Sequence, residues 1–144
     1  FILLIGSPAL ALSLNAKTEA SSEKSTVSAW APFDENLVAE KRKTQSVFID
    51  FTASWCITCQ VNKRTVLDTK EIQDLFKVHD VFLIRADWTN QDPKITQALA
   101  SFGRNSVPFY VFYNKMQKPP GSPQVLPELL TKDLVKEVIQ GEMK

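Results

Sequence analysis

The chain has 144 residues, with 17 Lys and Arg against 16 Asp and Glu and a formal net charge of +1. This length suits one domain with a substantial core. A charge balance so close to zero argues against a nucleic acid or another polyanion as partner.

The first 14 residues form a strongly apolar segment, FILLIGSPALALSL. A bilayer span needs about 20 residues, so this segment alone is too short to cross. It is interpreted either as the tail of a transmembrane helix or as a signal-peptide remnant with a cleavage site near Ala11. The absence of a basic leader favours the first interpretation, and both place the rest of the chain outside the cytoplasm. Simple core-packing sequence is a third possibility.

Residues 15–29 are rich in Ser, Ala, Thr, Lys and Glu and predict a flexible linker before a folded domain over residues 30–144.

Within that domain, apolar periodicity predicts alternating helices and strands. The expected elements are a helix over 34–43, a strand over 47–52, a helix from Cys56 toward Leu67, a helix starting with a capping pair Asp68 and Glu71, a strand over 81–86, a helix through Ile95 to Phe102 that Gly103 ends, a strand over 109–113, an edge strand over 124–126, and a last helix capped by Thr131 and stopped by Gly141. Helices between strands imply parallel crossovers, and the two closely spaced last strands imply an antiparallel hairpin. The prediction is an α/β fold with a mixed sheet and helices on both faces.

The only two cysteines, Cys56 and Cys59, lie at the junction between the apolar strand over 47–52 and the helix after it. The first is placed at the helix N-terminus, where free N–H groups and the helix dipole favour a thiolate. The second follows one turn later, about 5–6 Å away and within disulfide reach. One sulfur can attack a partner disulfide and the other can resolve the mixed intermediate. The pair therefore predicts redox exchange.

Two alternatives compete with redox exchange. A structural zinc site needs about four ligands, and two cysteines with His79, the only histidine, do not supply them within one chain. A static structural disulfide is the other alternative, although so short a loop removes little chain entropy. His79 is interpreted as a surface residue without a role.

A strand, Trp55 with the CxxC pair, a helix, and later Val107-Pro108 before another strand resemble the thioredoxin fold over residues 30–140. The segments FTASWCITCQVN (51–62), ADWTNQDP (86–93) and FGRNSVP (102–108) more narrowly resemble the C-terminal domain of the DsbD family and its ScsB-like relatives. These are membrane thiol:disulfide interchange proteins. Their membrane domain takes electrons from cytoplasmic thioredoxin, and their C-terminal domain passes them to a periplasmic partner.

The resemblance implies a reductant at the bacterial inner membrane that faces the periplasm. It implies a monomeric domain tethered on its N-terminal side, with its own membrane domain as electron donor, periplasmic thiol-disulfide proteins as partners, and no metal or organic cofactor. A free periplasmic reductase for cytochrome c maturation, an oxidase of secreted thiols and a non-catalytic binding module stay open as alternatives.

The resemblance also assigns roles to individual residues. Cys56 would be the exposed attacking thiol and Cys59 the buried resolving thiol. Asp50 matches the buried acid of thioredoxins, and burial should raise its pKa so that it can exchange the proton of Cys59. Val107-Pro108 matches the cis-proline loop that faces the dithiol, where the Val107 backbone would pair with an extended partner chain.

Around this centre, Trp55 would shield the sulfurs and offer contact surface, with core packing as its alternative. Ile57-Thr58 replaces the Gly-Pro of thioredoxins between the two cysteines and would meet the partner. Lys63 stands where many relatives have Glu, and it either favours the Cys56 thiolate or points to solvent. Leu83 is taken as the counterpart of a buried thioredoxin lysine, which would leave proton handling to Asp50 alone.

Overall fold

A computed structural model describes residues 29–117 and 122–141. The apolar segment 1–14 and the predicted linker up to residue 28 lie outside the described residues. In chain order the helices and strands are β1 (Ala31–Pro32), α1 (Glu35–Lys41), β2 (Ser46–Thr52), α2 (Ile57–Asn62), a π-helix (Lys63–Leu67), α3 (Lys70–Val78), β3 (Val81–Asp87), α4 (Pro93–Ser101), β4 (Phe109–Tyr113), β5 (Gln124–Leu126) and α5 (Lys132–Gln140). None of the helices within the described residues is long and apolar enough to cross a membrane.

The five strands form one mixed sheet in the order β1-β3-β2-β4-β5. β1, β3 and β2 run parallel, whereas β4 runs antiparallel to both β2 and β5. The predicted α/β fold with a mixed sheet and an edge strand at 124–126 is confirmed. β1 was not predicted, because two residues that include Pro32 are too few to show an alternating pattern.

The central strand β2 is buried along its whole length, which explains its near-continuous apolar sequence. Since side chains alternate along a strand, Phe48 faces a core shared with the π-helix, α3 and α5. Ile49 and Phe51 face the opposite core, which is shared with α1 and α4. Helices therefore cover both faces, as predicted, and β2 carries the chain to the site at its C-terminal end.

Local boundaries agree with the sequence signals at the last helix and differ at the third. The Thr131 hydroxyl caps α5 by accepting a hydrogen bond from the Leu134 N–H at 3.1 Å, and Gly141 ends it with a φ of 76°. The predicted capping pair Asp68 and Glu71 is wrong, because α3 begins after Thr69 without a side-chain cap.

The carboxylate of Asp68 has other donors. It accepts hydrogen bonds from Trp30 Nε1 at 3.2 Å and from the guanidinium of Arg85 at 3.1 Å. A charged guanidinium makes a stronger hydrogen bond than a helix N–H group, so Asp68 belongs to a contact between elements.

Candidate active site

The two cysteines form a disulfide at the start of α2, with a Cα–Cα distance of 5.3 Å. Cys56 is the N-cap residue, and its Sγ accepts a hydrogen bond from the Cys59 N–H at 3.2 Å. The sequence predicts an exposed Cys56, but the residue is only 7% exposed, and Cys59 is completely buried. Cys56 is covered because Ala53 and Val107 pack against the pair. Of the two cysteines, only Cys56 retains accessible surface.

The Val107-Pro108 peptide bond is cis, as the resemblance predicts. Val107 is partly buried against the dithiol, so this loop does face the two cysteines. Within residues 29–117 and 122–141, no hydrogen bond engages the Val107 backbone. That backbone is therefore available to a partner chain.

Exposed apolar side chains flank the two cysteines in the sequence. Ile57 is 81% exposed, Trp55 54% and Val61 45%, and we call these three residues the apolar rim. Thr58 is half-buried between them. Trp55 lies against the Trp88 ring at 6.1 Å and donates a hydrogen bond to the Thr89 carbonyl at 3.1 Å. The core-packing interpretation of Trp55 is therefore wrong.

Sequence reasoning missed Val61, although it follows Ile57 by four residues and so shares its helix face. Large exposed apolar groups close to one another are typical of a protein contact surface.

Thr89 holds the turn before the dithiol, a role that the sequence did not reveal. Its hydroxyl accepts a hydrogen bond from the Ser54 N–H at 2.9 Å and donates one to Asp87. The hydroxyl and the N–H of Thr89 both donate to Asp87 and hold the pKa of Asp87 below its usual value. The loop after β3 is thereby fixed to the segment that presents Cys56.

Asp50 lies fully buried on β2, on the sheet face that α2 and the π-helix cover. Its Oδ2 accepts a hydrogen bond from Arg85 Nε at 3.0 Å, whereas its Oδ1 is buried without a hydrogen-bond partner. Burial raises the pKa of Asp50, and the positive charges of Arg85 and Lys63 partly oppose that rise. The predicted direction of the shift is confirmed.

The cation beside Asp50 is Arg85, which sequence reasoning missed. Leu83, the expected counterpart of a thioredoxin lysine, packs instead in the hydrophobic core. The parallel register of β2 and β3 places Asp50 directly opposite Arg85, and this register depends on β2 beginning at Ser46, one residue before the predicted strand. The Asp50 carboxylate is therefore paired with a cation of the neighbouring strand.

Lys63 is partly buried at the start of the π-helix, so its side chain does not lie fully in solvent. Burial lowers the pKa of Lys63, and the charge of Asp50 is the largest opposing influence. Lys63 follows Cys59 by one helical turn. Its positive charge also acts on the buried Asp50 and lowers the pKa of that carboxyl.

A buried asparagine, Asn62, connects α2 to neighbouring elements by hydrogen bonds. Asn62 donates hydrogen bonds to Tyr110 Oη at 2.8 Å and to the Glu128 carbonyl at 2.7 Å, and it accepts one from the Leu130 N–H at 3.3 Å. These bonds tie the dithiol helix to β4 and to the loop before α5.

Among the described residues, no group of three or more His, Cys, Asp and Glu side chains is arranged to hold a metal ion. His79 lies partly buried at the C-terminal end of α3.

A CxxC pair at the end of a central strand, capping a helix, closed as a disulfide and faced by a cis-proline, can open and close reversibly by exchange with another disulfide. The class of protein that this fold and site define is a thiol:disulfide oxidoreductase of thioredoxin fold.

Residues 29–115 match the Thioredoxin-like family, and the chain belongs to that family. The thiol:disulfide interchange protein DsbD of Vibrio cholerae is 26% identical over 83 residues, which are 58% of this chain and 14% of that protein. DsbD of Photorhabdus laumondii is 25% identical over 89 residues, which are 62% of this chain and 15% of that protein. The chain thus spans a small part of the length of these relatives. The reduced C-terminal domain of Neisseria meningitidis DsbD has a similar fold, with a TM-score of 0.60 at 19% identity over 77% of this chain and 98% of that domain.

Proposed function

We propose that this domain is the electron-donating dithiol of a DsbD-like thiol:disulfide interchange protein. The single observation that carries the proposal is the asymmetry of the Cys56–Cys59 pair. Only Cys56 retains accessible surface, and its sulfur accepts the Cys59 N–H. In the reduced protein the same hydrogen bond and the other N–H groups at the start of α2 stabilise a thiolate at Cys56.

The exchange proceeds in two balanced steps. The Cys56 thiolate attacks one sulfur of the partner disulfide, so that a Cys56–partner bond forms, the partner bond breaks, and the released partner thiolate takes up a proton. Cys59 then loses its proton and attacks Cys56 Sγ, which forms the intramolecular disulfide and releases the second partner thiolate to be protonated. Two electrons pass from the domain to the partner. Cys59 supplies one proton, and solvent, which took the proton of Cys56 when its thiolate formed, supplies the other.

Asp50 is the proposed acceptor of the Cys59 proton. It lies on β2 opposite Tyr110, which accepts a hydrogen bond from Asn62 of the helix that carries Cys59. Its Oδ1 has no hydrogen-bond partner, and its pKa is raised. A general base works best when its pKa lies near the working pH. The raised pKa therefore brings Asp50 closer to that range than an exposed aspartate.

The partner would bind in extended form across the dithiol. The Val107 backbone offers unpaired groups for strand-like hydrogen bonds. The apolar rim (Trp55, Ile57 and Val61), together with Thr58, offers exposed contact area in the segment that carries the cysteines. Such a surface suits folded thiol-disulfide proteins or domains better than small thiols.

The proposed setting follows from the likeness to DsbD. The domain would face the periplasm at a bacterial inner membrane, act as a monomer, need no metal or organic cofactor, and receive its electrons from a membrane domain of its own protein. The apolar segment 1–14 would be the end of the last membrane helix, and residues 15–29 would be the tether.

The reduction potential tests the direction of electron flow. The oxidised domain would be equilibrated with glutathione or dithiothreitol buffers, and the dithiol fraction would be read by thiol alkylation and mass spectrometry. We expect a value nearer to about −270 mV, as in thioredoxin, than to about −120 mV, as in a strong oxidant. A value near the oxidant end would overturn the assignment as a reductant, and a disulfide that resists the whole buffer range would favour a structural role.

A further inference from the structure

Arg85 connects the buried acid to the surface of the domain. Its Nε donates to Asp50 Oδ2 at 3.0 Å, and its Nη2 donates to Asp68 Oδ1 at 3.1 Å. The Arg85 side chain is 21% exposed, whereas that of Asp50 is 1% exposed. One guanidinium thus uses two of its edges on two carboxylates, which fixes its plane.

Trp30 completes this arrangement. The Arg85 guanidinium carbon lies 4.2 Å from the centre of the Trp30 ring, and Trp30 Nε1 donates to Asp68 Oδ1 at 3.2 Å. Trp30 itself is held in the core against the rings of Phe48 and Phe76. Trp30, Asp68 and Arg85 therefore form a closed set of contacts, which we call the Arg85 brace. An unbraced arginine side chain would sample many rotamers, so the brace keeps its charge beside Asp50.

The charged and titratable groups that act on Asp50 lie on the elements around it. They are Arg85 on β3, Lys63 on the π-helix, Asp68 after it, and Tyr110 opposite Asp50 on β4. Arg85 is the only one of these that the described structure shows in direct contact with the Asp50 carboxylate.

We propose that Arg85 is a positioning residue that sets the protonation range of Asp50, and that Trp30 and Asp68 brace its guanidinium for this purpose. The inference rests on the proposed function, since Asp50 matters to the reaction only as the proton acceptor of Cys59. It adds a residue of the third strand, and an aromatic residue at the first strand, to the machinery of the resolving step.

The sign of the change separates this role from a merely structural one. If the brace only supported the fold, weakening it would admit water to Asp50 and lower its pKa, because burial is the main cause of the raised value. If the brace holds a cation against Asp50, weakening it raises the pKa further. Trp30 carries no charge, so a rise in the Trp30→Leu variant acts through the charged members of the brace that it contacts, Arg85 and Asp68.

The test uses the full chain and the variants Arg85→Gln, Arg85→Lys and Trp30→Leu, with Arg42→Gln as matched control. Arg42 also stacks on an aromatic ring, that of Tyr113 at 3.8 Å, but at the other end of the sheet. The first measurement is the pKa of the Asp50 carboxyl, from its ¹³C chemical shift in NMR titration of the oxidised protein. The second is the pH profile of single-turnover reduction of a disulfide peptide.

We expect Arg85→Gln to raise the Asp50 pKa by about 1 unit or more and to move the corresponding limb of the pH profile to higher pH by the same amount. Trp30→Leu should cause a smaller rise, Arg85→Lys should restore most of the wild-type value because it keeps the charge, and Arg42→Gln should change neither measurement. An unchanged or lowered Asp50 pKa in Arg85→Gln, or a rise in Arg85→Lys as large as that in Arg85→Gln, would overturn the role of Arg85. An unchanged or lowered Asp50 pKa in Trp30→Leu would overturn the brace.

Two further outcomes remain distinct. A raised Asp50 pKa with an unmoved pH profile would overturn the part of Arg85 in the reaction. A wild-type protein that reduces no disulfide, although its Asp50 titration shifts as expected, would overturn the proposed function instead.

Discussion

The buried carboxyl of Asp50 makes a signed prediction about stability. An aspartate in an unfolded chain titrates near pH 3.9, whereas burial raises the pKa of Asp50 in the folded protein. Between these two values the folded state keeps a proton that the unfolded state has lost. Stability therefore falls as pH rises through this window, with a slope of up to about 1.4 kcal/mol per pH unit from this one group, and it levels off above the folded pKa. Below the unfolded pKa the penalty is absent.

Asp50→Asn removes this titration and keeps the shape of the side chain. It also leaves Arg85 with one carboxylate partner fewer, which adds an offset that does not depend on pH in the window. The difference in unfolding free energy, variant minus wild type, should increase from about pH 4 upward with the slope given above. Urea denaturation of both oxidised proteins between pH 4 and pH 9 measures it. A difference that stays flat, or that falls with rising pH, would refute the assignment of a raised pKa.

Other side chains give further expectations. Asn62→Ala should cost roughly 3 kcal/mol in urea denaturation, because it removes three hydrogen bonds of a buried side chain worth about 1 kcal/mol each, including the one to Tyr110; a loss well below 1 kcal/mol would contradict this. Lys63→Glu should raise the NMR-measured pKa of Asp50, since it replaces a charge that lowers this pKa by one that raises it; an unmoved titration would show that Lys63 does not act on Asp50. Trp55→Ala should slow exchange with folded protein disulfides more than exchange with a small-molecule disulfide, because the half-exposed ring offers contact area; equal slowing in stopped-flow assays would remove its contact role.

The fold could be predicted from the sequence because its signals are local. The apolar run of β2, the Thr131 cap and the Gly141 stop each act within a few residues, and the structure has them where expected. The two-residue β1 has no pattern of its own and exists only through its pairing with β3. Its existence depends on the finished sheet.

The candidate site also combines features that local sequence predicts with features that depend on the assembled fold. The dithiol was predicted from two cysteines that lie close together in the sequence, and the cis-proline was predicted from the resemblance to the thioredoxin fold. The contact between Asp50 and Arg85 joins residues 35 positions apart, and it depends on the register of β2 against β3. A local sequence pattern does not determine that register. The resemblance to thioredoxins therefore identified Leu83, and not Arg85, as the counterpart of the buried lysine. The limited exposure of Cys56 was also missed, because it depends on how Val107 packs against the pair.

The most direct test of the account is to trap the mixed disulfide. The full-length chain with Cys59→Ala would be incubated with a disulfide-bonded peptide, and the matched variant Cys56→Ala would be treated in parallel, with adducts mapped by mass spectrometry. The account predicts a stable peptide adduct on Cys56 in the first variant and almost none on Cys59 in the second, because Cys56 alone retains accessible surface and Cys59 is fully buried. Equal adducts on both cysteines, or none on Cys56, would contradict the claim that Cys56 attacks and Cys59 resolves.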